Sequence, residues 1–282
     1  MAARELQSLC ATAVLTRGTE FPMDENSGDI NFKDGVRTVT LSSWQEFHQE
    51  VYSLRSKRGY VWRGQKGDWP LKSTFDRNVQ SKNQHDRTKK LKHHLGNFKE
   101  AMNKSYPNVL PQDEDSIWAL GRHYGLKAPL LDWTLSPYIA AYFAFIEGHD
   151  PNDRNDNYRY VFALNRSVER MMSKRKKATQ ILSSDRSVLF IDRLPYPNPR
   201  FTAQKGILTK AFQGNDLWKY VKSFSGKKPS EVVIVKFEIP TKDREECLRA
   251  LHLMNIDHTS LLLDLHDVVD CCNDKLLPRR ED

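Results

Sequence analysis

The chain has 282 residues, of which 39% are hydrophobic and 10% aromatic, and it carries a net charge of +8. This length and composition are sufficient for a packed core and exclude an intrinsically disordered chain. No apolar run approaches the roughly 20 residues that span a bilayer, and the N-terminus shows no convincing signal peptide. The sequence therefore predicts a cytoplasmic protein without a membrane partner. None of the four cysteines forms a Cys-x-x-Cys pair, so we expect no metal.

Positive charge is concentrated in one segment that has helical spacing. Between Lys82 and Lys104, seven lysines and arginines are accompanied by only two acidic residues, Asp86 and Glu100. An excess of positive charge attracts polyanions, so nucleic acid is an expected partner of this basic helix, residues 82–104. A solvated helix face without a partner is the alternative that charge alone leaves open.

The chain begins with a weakly patterned stretch that ends in polar residues. We interpret residues 1–35 as a flexible N-terminal arm and residues 36–282 as a single domain. Strand signals begin at residues 36–41. Ser43 and Glu46 then form a capping box in front of an amphipathic helix.

The rest of the chain divides into a helical first half and a strand-rich second half. After a strand at residues 60–63 comes the basic helix, and then a helix that Asp113 or Asp115 could cap. Pro137 opens a helix that is apolar nearly all round and should be central. This order predicts an α+β fold, with a helical front half packed on a mixed or antiparallel sheet from the back half. The later elements are predicted strands at 160–164, 188–191, 207–209 and 232–239, and predicted helices at 242–254 and 260–272.

The most informative residues are Arg63 and Gly64, at the end of the strand that begins at Tyr60. Arginine stays charged at every accessible pH, and its fork of donors suits phosphate. Glycine allows a sharp turn or the close approach of a ligand. We interpret Arg63 as functional, because an arginine followed by glycine at a strand end is a costly choice for packing alone. Trp62 and Trp133 are interpreted as core residues rather than base-stacking platforms.

Four ordered blocks of the sequence resemble the FRG domain family over roughly residues 36–272. Trp62 replaces the phenylalanine of the Phe-Arg-Gly sequence from which that family takes its name, which describes residues and not an activity. The blocks are Val61-Trp62-Arg63-Gly64-Gln65 with Trp69-Pro70-Leu71 and Arg77; Arg122-His123-Tyr124-Gly125-Leu126 with Leu130-Leu131-Asp132-Trp133-Thr134 and the helix after Ser136-Pro137; Asn198-Pro199-Arg200 with Gln204-Lys205-Gly206; and residues 254–265.

The first block is also similar, more loosely, to ADP-ribosyltransferases of the Arg-Ser-Glu type. That resemblance implies an ADP-ribosyltransferase-like fold with NAD as substrate, bound by Arg63 and Gly64. Ser73-Thr74 matches the serine motif poorly, because it follows Arg63 too soon. Where the family has its glutamate, this chain has Gln204, whose amide offers only a dipole to a developing cation. Asp132 is the nearest alternative carboxylate.

The remaining candidates can each be interpreted in two ways. His123 is a catalytic base or a packed histidine, and Tyr124 is a stacking platform for the cofactor. Asp132 is a base or an acceptor for a ribose hydroxyl; alternatively it caps the turn before the Pro137 helix or pairs with Arg122. Arg200 binds phosphate or pairs with an acid in the sheet. The predicted catalytic residues are thus Gln204, Asp132 and His123, and the predicted cofactor-binding residues are Arg63, Gly64, Tyr124 and Arg200.

Three functional hypotheses follow from these residues. The first, implied by the resemblance, is an NAD-using enzyme that ADP-ribosylates a nucleic acid or a protein, as a toxin or defence effector with a neutralising protein partner. The second is a non-catalytic module that binds a nucleotide or a nucleic acid. The third is a structural or partner-binding domain in which the same residues form a buried polar network.

Overall fold

The computed structural model describes residues 35–54, 59–148, 156–169, 188–194, 198–210, 212–224 and 233–261. All of them belong to one compact unit, Asn31–Asp282. The predicted arm lies outside the described residues except for Gly35, so the division into an arm and a single domain stays a prediction. Most of the last predicted helix, from residue 262 onward, also lies outside them.

Seven strands of the described residues form one sheet. They are β1 (Val36–Thr40), β2 (Tyr60–Gln65), β3 (Leu131–Thr134), β4 (Tyr158–Asn165), β5 (Leu189–Ile191), β6 (Gly206–Lys210) and β7 (Ile234–Pro240). Their order in the sheet is β1-β7-β4-β2-β3-β6-β5. Strands β1 and β7 run parallel, and the other neighbouring strands are antiparallel. This mixed sheet confirms the predicted α+β class. Its strands come from both halves of the chain, and β3 was not predicted.

Two predicted helix starts are confirmed by hydrogen bonds. The Ser43 hydroxyl accepts from the Glu46 N–H at 3.3 Å, and Asp113 rather than Asp115 caps its helix by accepting from Ser116 at 2.8 Å. No described helix combines the length and the apolar character needed to cross a membrane. The described helices are α1 (Trp44–Leu54), α2 (Thr74–Asn78), α3 (Gln84–Ser105), α4 (Glu114–His123), α5 (Pro137–Phe145), α6 (Pro199–Ala203), α7 (Leu217–Phe224), α8 (Arg244–Leu253) and α9 (His258–Leu261).

The sheet buries apolar side chains on both faces, because successive strand residues point to opposite sides. Trp62 of β2 joins a cluster with Phe145 of α5, to which α1 and α8 also contribute. Val61, one residue earlier, joins the opposite cluster with Leu217 of α7. Trp118 of α4 centres a third cluster with α3. The apolar helix α5 is therefore central, as predicted.

The sheet is weakly paired between β2 and β3. These strands pair at one position, Trp62 with Thr134, whereas β2 and β4 pair at six. The next step of the β2–β3 ladder would bring Gly64 opposite Asp132. Instead, the carbonyl oxygen of Asp132 accepts a hydrogen bond from Arg63 Nη1 at 2.8 Å. The ladder ends here, and a side chain of β2 takes over the connection to β3.

Candidate functional site

A cleft of about 530 Å³ lies where β2 and β3 part. The end of α4, Ala140 and Phe143 of α5 and the short helix α6 complete its walls. Tyr124 is 77% exposed and does not line the cleft. The tertiary structure therefore brings together six of the seven predicted site residues, which are Arg63, Gly64, His123, Asp132, Arg200 and Gln204.

The guanidinium group of Arg63 is held on one side and open on the other. Its Nε donates to Gln65 Oε1 at 3.2 Å, and its Nη1 donates to the Asp132 carbonyl. Gln65 is itself buried and fixed, because its Nε2 donates to the Trp69 carbonyl at 2.9 Å. Nη2 has no hydrogen-bond partner within the part of the chain that the structure describes. The guanidinium group of Arg63 thus presents Nη2 to the cleft as a fixed and unused donor.

The electrostatic environment of Arg63 favours an anion in the cleft. Burial lowers the pKa of Arg63 to about 10, and the Asp132 carboxylate opposes this shift. The neighbouring guanidinium groups of Arg122 and Arg77 add to the lowering. Arg63 is still a cation at neutral pH, but one whose charge is incompletely balanced by its surroundings. A bound anion would supply the missing balance.

Asp132 forms a fork-to-fork ion pair with Arg122. Arg122 Nε donates to Asp132 Oδ1 at 3.2 Å, Nη2 donates to Oδ2, and Nη1 donates to Thr74 Oγ1 at 3.1 Å. Burial would raise the pKa of Asp132, but the charge and hydrogen bonds of Arg122 outweigh it and hold the pKa below its ordinary value. Asp132 lies within β3 and Ser136 caps α5, so pairing with Arg122 is correct and capping is wrong. The carboxylate is therefore ionised and a weak base.

Gly64 permits the close approach of a helix. It lies inside β2, so the sharp turn considered from the sequence does not exist. A Cβ added at Gly64 would lie 1.8 Å from the carbonyl oxygen of Ala140, in α5. Gly64 lines the cleft, but the contact that requires a glycine here is the packing of α5 on β2.

Gln204 and Arg200 reach the cleft from α6, which the sequence did not predict as a helix. Asn198 caps this helix, and Gln204 ends it. The Gln204 carbonyl accepts from Thr134 Oγ1 at 2.7 Å, which ties α6 to β3. Its side-chain Nε2 donates to the Leu261 carbonyl at 3.1 Å. The donor of the amide is therefore engaged, and Oε1 is the atom left to accept from a ligand.

His123 ends α4 and is exposed at the cleft, so its interpretation as a packed core histidine is wrong. Its ring contacts Tyr124 edge-on, with 4.8 Å between the centroids. Trp62 and Trp133, in contrast, are 5% and 3% exposed, which confirms their interpretation as core residues.

Sequence reasoning missed three charged residues of the cleft, Lys66, Arg77 and Glu147, and the half-exposed Trp69. The cleft is therefore more basic than the predicted set suggests. Lys66 Nζ and Glu147 Oε2 lie 3.8 Å apart. Only Trp69 and Arg77 carried a signal, since both belong to the first sequence block. Cleft cations outnumber carboxylates: Arg63, Lys66, Arg77, Arg122 and Arg200 against Asp132 and Glu147. Among the described residues, no three acidic, His or Cys side chains converge as a metal site requires.

Residues 58–153, from β2 to just beyond α5, match the model of the FRG domain. The chain therefore contains an FRG domain in this region. The matched FRG region contains Arg63, His123 and Asp132, whereas Arg200 and Gln204 lie beyond it. Their assignment rests on the resemblance of the third sequence block alone. No curated protein and no solved structure matches the chain.

Proposed function

We propose that this cleft binds NAD through its pyrophosphate and that the protein is an ADP-ribosyltransferase-like enzyme. One observation carries the binding step: Arg63 is anchored through Nε and Nη1 while Nη2 remains without a partner among the described residues. An anchored fork loses little conformational entropy when it accepts an anion, so its donors are preorganised for phosphate. The excess of cations around the cleft supports the same ligand class.

The transfer step is supported by the resemblance, and two cleft groups could serve it. Transfer from NAD breaks the bond between nicotinamide and the ribose C1′ and develops positive charge on the ribose. Asp132 remains ionised, and 46% of its side chain is exposed, so its negative charge can stabilise that cation. Gln204 Oε1 is left to accept from a ribose hydroxyl, because Nε2 is engaged by Leu261.

A second candidate, nucleotide binding without transfer, is favoured by the Arg122–Asp132 pair. Arg122 engages both oxygens of Asp132, and a carboxylate balanced in this way gives less stabilisation to a second cation. Gln204 supplies no charge at all. Both candidates share the binding of a pyrophosphate at Arg63 and differ only in chemistry.

The test combines binding with nicotinamide release. NAD binding to the full chain is measured by calorimetry, and nicotinamide release is followed with and without RNA, DNA or protein acceptors. Arg63→Ala and Arg63→Lys are compared with Arg37→Ala, a matched control on β1 whose guanidinium pairs with Glu50 outside the cleft. Thermal melting of each variant separates lost binding from lost folding.

Each outcome selects one candidate. Binding and release that both require Arg63 support the enzyme, and the polymer that accelerates release identifies the acceptor. Binding that requires Arg63 without release under any condition supports the non-catalytic module. If folded Arg63→Ala binds NAD as the wild type does, both candidates are refuted. If the wild type does not bind NAD, the enzyme is refuted, and a failure to bind ADP as well refutes the non-catalytic module. A role as toxin or defence effector and a neutralising partner stay predictions.

A further inference from the structure

Trp69 places a half-exposed indole ring at the rim of the cleft. It is 48% exposed and lines the same space as Arg63. An isolated exposed aromatic residue is ordinary on a protein surface. This one is notable because it stands beside a preorganised arginine, in a cleft whose other tryptophans, Trp62 and Trp133, are buried.

The ring is held in place although it is exposed. A Cβ added at Gly67 would lie 2.9 Å from indole atoms Cε2 and Nε1, so the ring packs directly against that glycine. The backbone N–H of Trp69 donates to the Gly67 carbonyl at 2.8 Å. A rigid aromatic side chain pays little entropy when it stacks on a ligand.

The loop that carries Trp69 is fixed to the same residue that fixes Arg63. Gln65 Nε2 donates to the Trp69 carbonyl at 2.9 Å, and Gln65 Oε1 accepts from Arg63 Nε at 3.2 Å. One buried amide therefore sets the position of an aromatic ring relative to that of a phosphate-binding fork. This arrangement suits a ligand that has a flat heterocycle and a phosphate joined by a short spacer.

We propose that Trp69 is the stacking platform for the heterocyclic base of the nucleotide whose phosphates Arg63 binds. The inference rests on the proposed function and extends it, because it requires a nucleotide rather than a sugar phosphate or an inorganic anion. The stacked ring is the adenine or the nicotinamide of NAD. Every base presents a π-face to an indole, and stacking on an aromatic side chain makes a substantial contribution to binding.

The test measures the affinities of ADP, nicotinamide mononucleotide and inorganic pyrophosphate for the full chain. Trp69→Ala should weaken binding of the nucleotide that carries the stacked ring roughly 10-fold and leave the affinity for pyrophosphate unchanged. Trp69→Phe keeps a π-face and should stay close to the wild type. Gly67→Ala displaces the ring without removing it and should act like Trp69→Ala. Tyr106→Ala, at an aromatic residue 60% exposed and outside the cleft, is the control.

The outcomes distinguish this inference from the function on which it rests. A larger loss for ADP assigns adenine to Trp69, and a larger loss for the mononucleotide assigns nicotinamide. Equal loss for pyrophosphate and both nucleotides, or no loss for either nucleotide, overturns the stacking role while binding at Arg63 stands. If pyrophosphate and nucleotides do not bind the wild type, the proposed function fails and the inference fails with it.

Discussion

Replacing Gly64 by alanine is expected to destabilise the fold by about 3 kcal/mol. The added Cβ would lie 1.8 Å from the Ala140 carbonyl oxygen and 2.7 Å from the Ala144 nitrogen, both backbone atoms of α5. No side-chain rotation can relieve a contact with backbone. Bringing the first contact to 3.0 Å moves α5 and β2 apart by 1.2 Å, in a cluster where Ala140 and Ala144 are 0% exposed.

Gly96→Ala provides a matched control with the opposite sign. Gly96 lies inside α3, and a Cβ there would have no atom within 4 Å. Alanine should therefore stabilise α3 by about 0.5–1 kcal/mol, since glycine loses more backbone entropy in a helix. Thermal unfolding followed by circular dichroism should place Gly64→Ala roughly 6–12 °C below the wild type and Gly96→Ala slightly above it.

The same experiment distinguishes two reasons for a glycine at position 64, the packing of α5 and the approach of a ligand. If a glycine were needed only for the approach of a ligand, Gly64→Ala would fold with wild-type stability and lose only binding. A melting temperature within about 2 °C of the wild type, less than 1 kcal/mol for a chain of this size, would refute the helix-packing argument.

Two further predictions concern charge. Asp132→Asn should cost about 1–2 kcal/mol at pH 7, between the values for exposed and buried ion pairs. Because the folded-state pKa of Asp132 is lowered, the stability that the ion pair contributes is present above about pH 4 and is lost as the pH falls further. In urea unfolding, the free energy of unfolding of the variant should therefore decline less steeply towards acid pH than that of the wild type. Identical pH profiles would contradict the pairing with Arg122. Lys89 and Lys92 are exposed on α3, so replacing both with alanine should reduce the salt dependence of single-stranded RNA binding by about 1.4 in log–log slope. Fluorescence anisotropy measures this salt dependence, and Lys219→Ala, at an exposed lysine of α7, is the control. Equal log–log slopes for the α3 variant and the control would exclude α3 as the binding surface.

The elements that sequence predicted correctly are those with strong local signals. Helix α1 follows its capping serine, Ser43, and α5 follows Pro137 as expected. Strand β7 was recognised because residues 232–235 are four consecutive β-branched residues, which favour strand over helix. These signals act over a few neighbouring residues, so they need no knowledge of the rest of the fold.

Strand β3 shows where local signals end. It is four residues long, and two of them, Asp132 and Thr134, are polar. Its strand conformation depends on β6, with which all four residues pair, from Leu131 opposite Thr209 to Thr134 opposite Gly206. The alternation of apolar and polar residues over these four positions is at the short limit of a strand pattern, so pairing with a partner distant in sequence fixes Asp132 as a strand residue.

The sequence by itself determined the α+β class and the starts of α1 and α5, and it predicted a functional role for Arg63, whose charge and donor fork are properties of one side chain. Tertiary structure alone decided what surrounds it. Arg63 meets the Asp132 carbonyl across 69 positions, and Gln204 meets Leu261 across 57. The role of Gly64 likewise depends on how closely α5 approaches. Such contacts are products of chain packing, so the cleft, the ion pair of Asp132 with Arg122 and the half-exposed Trp69 appear only when distant segments are brought together.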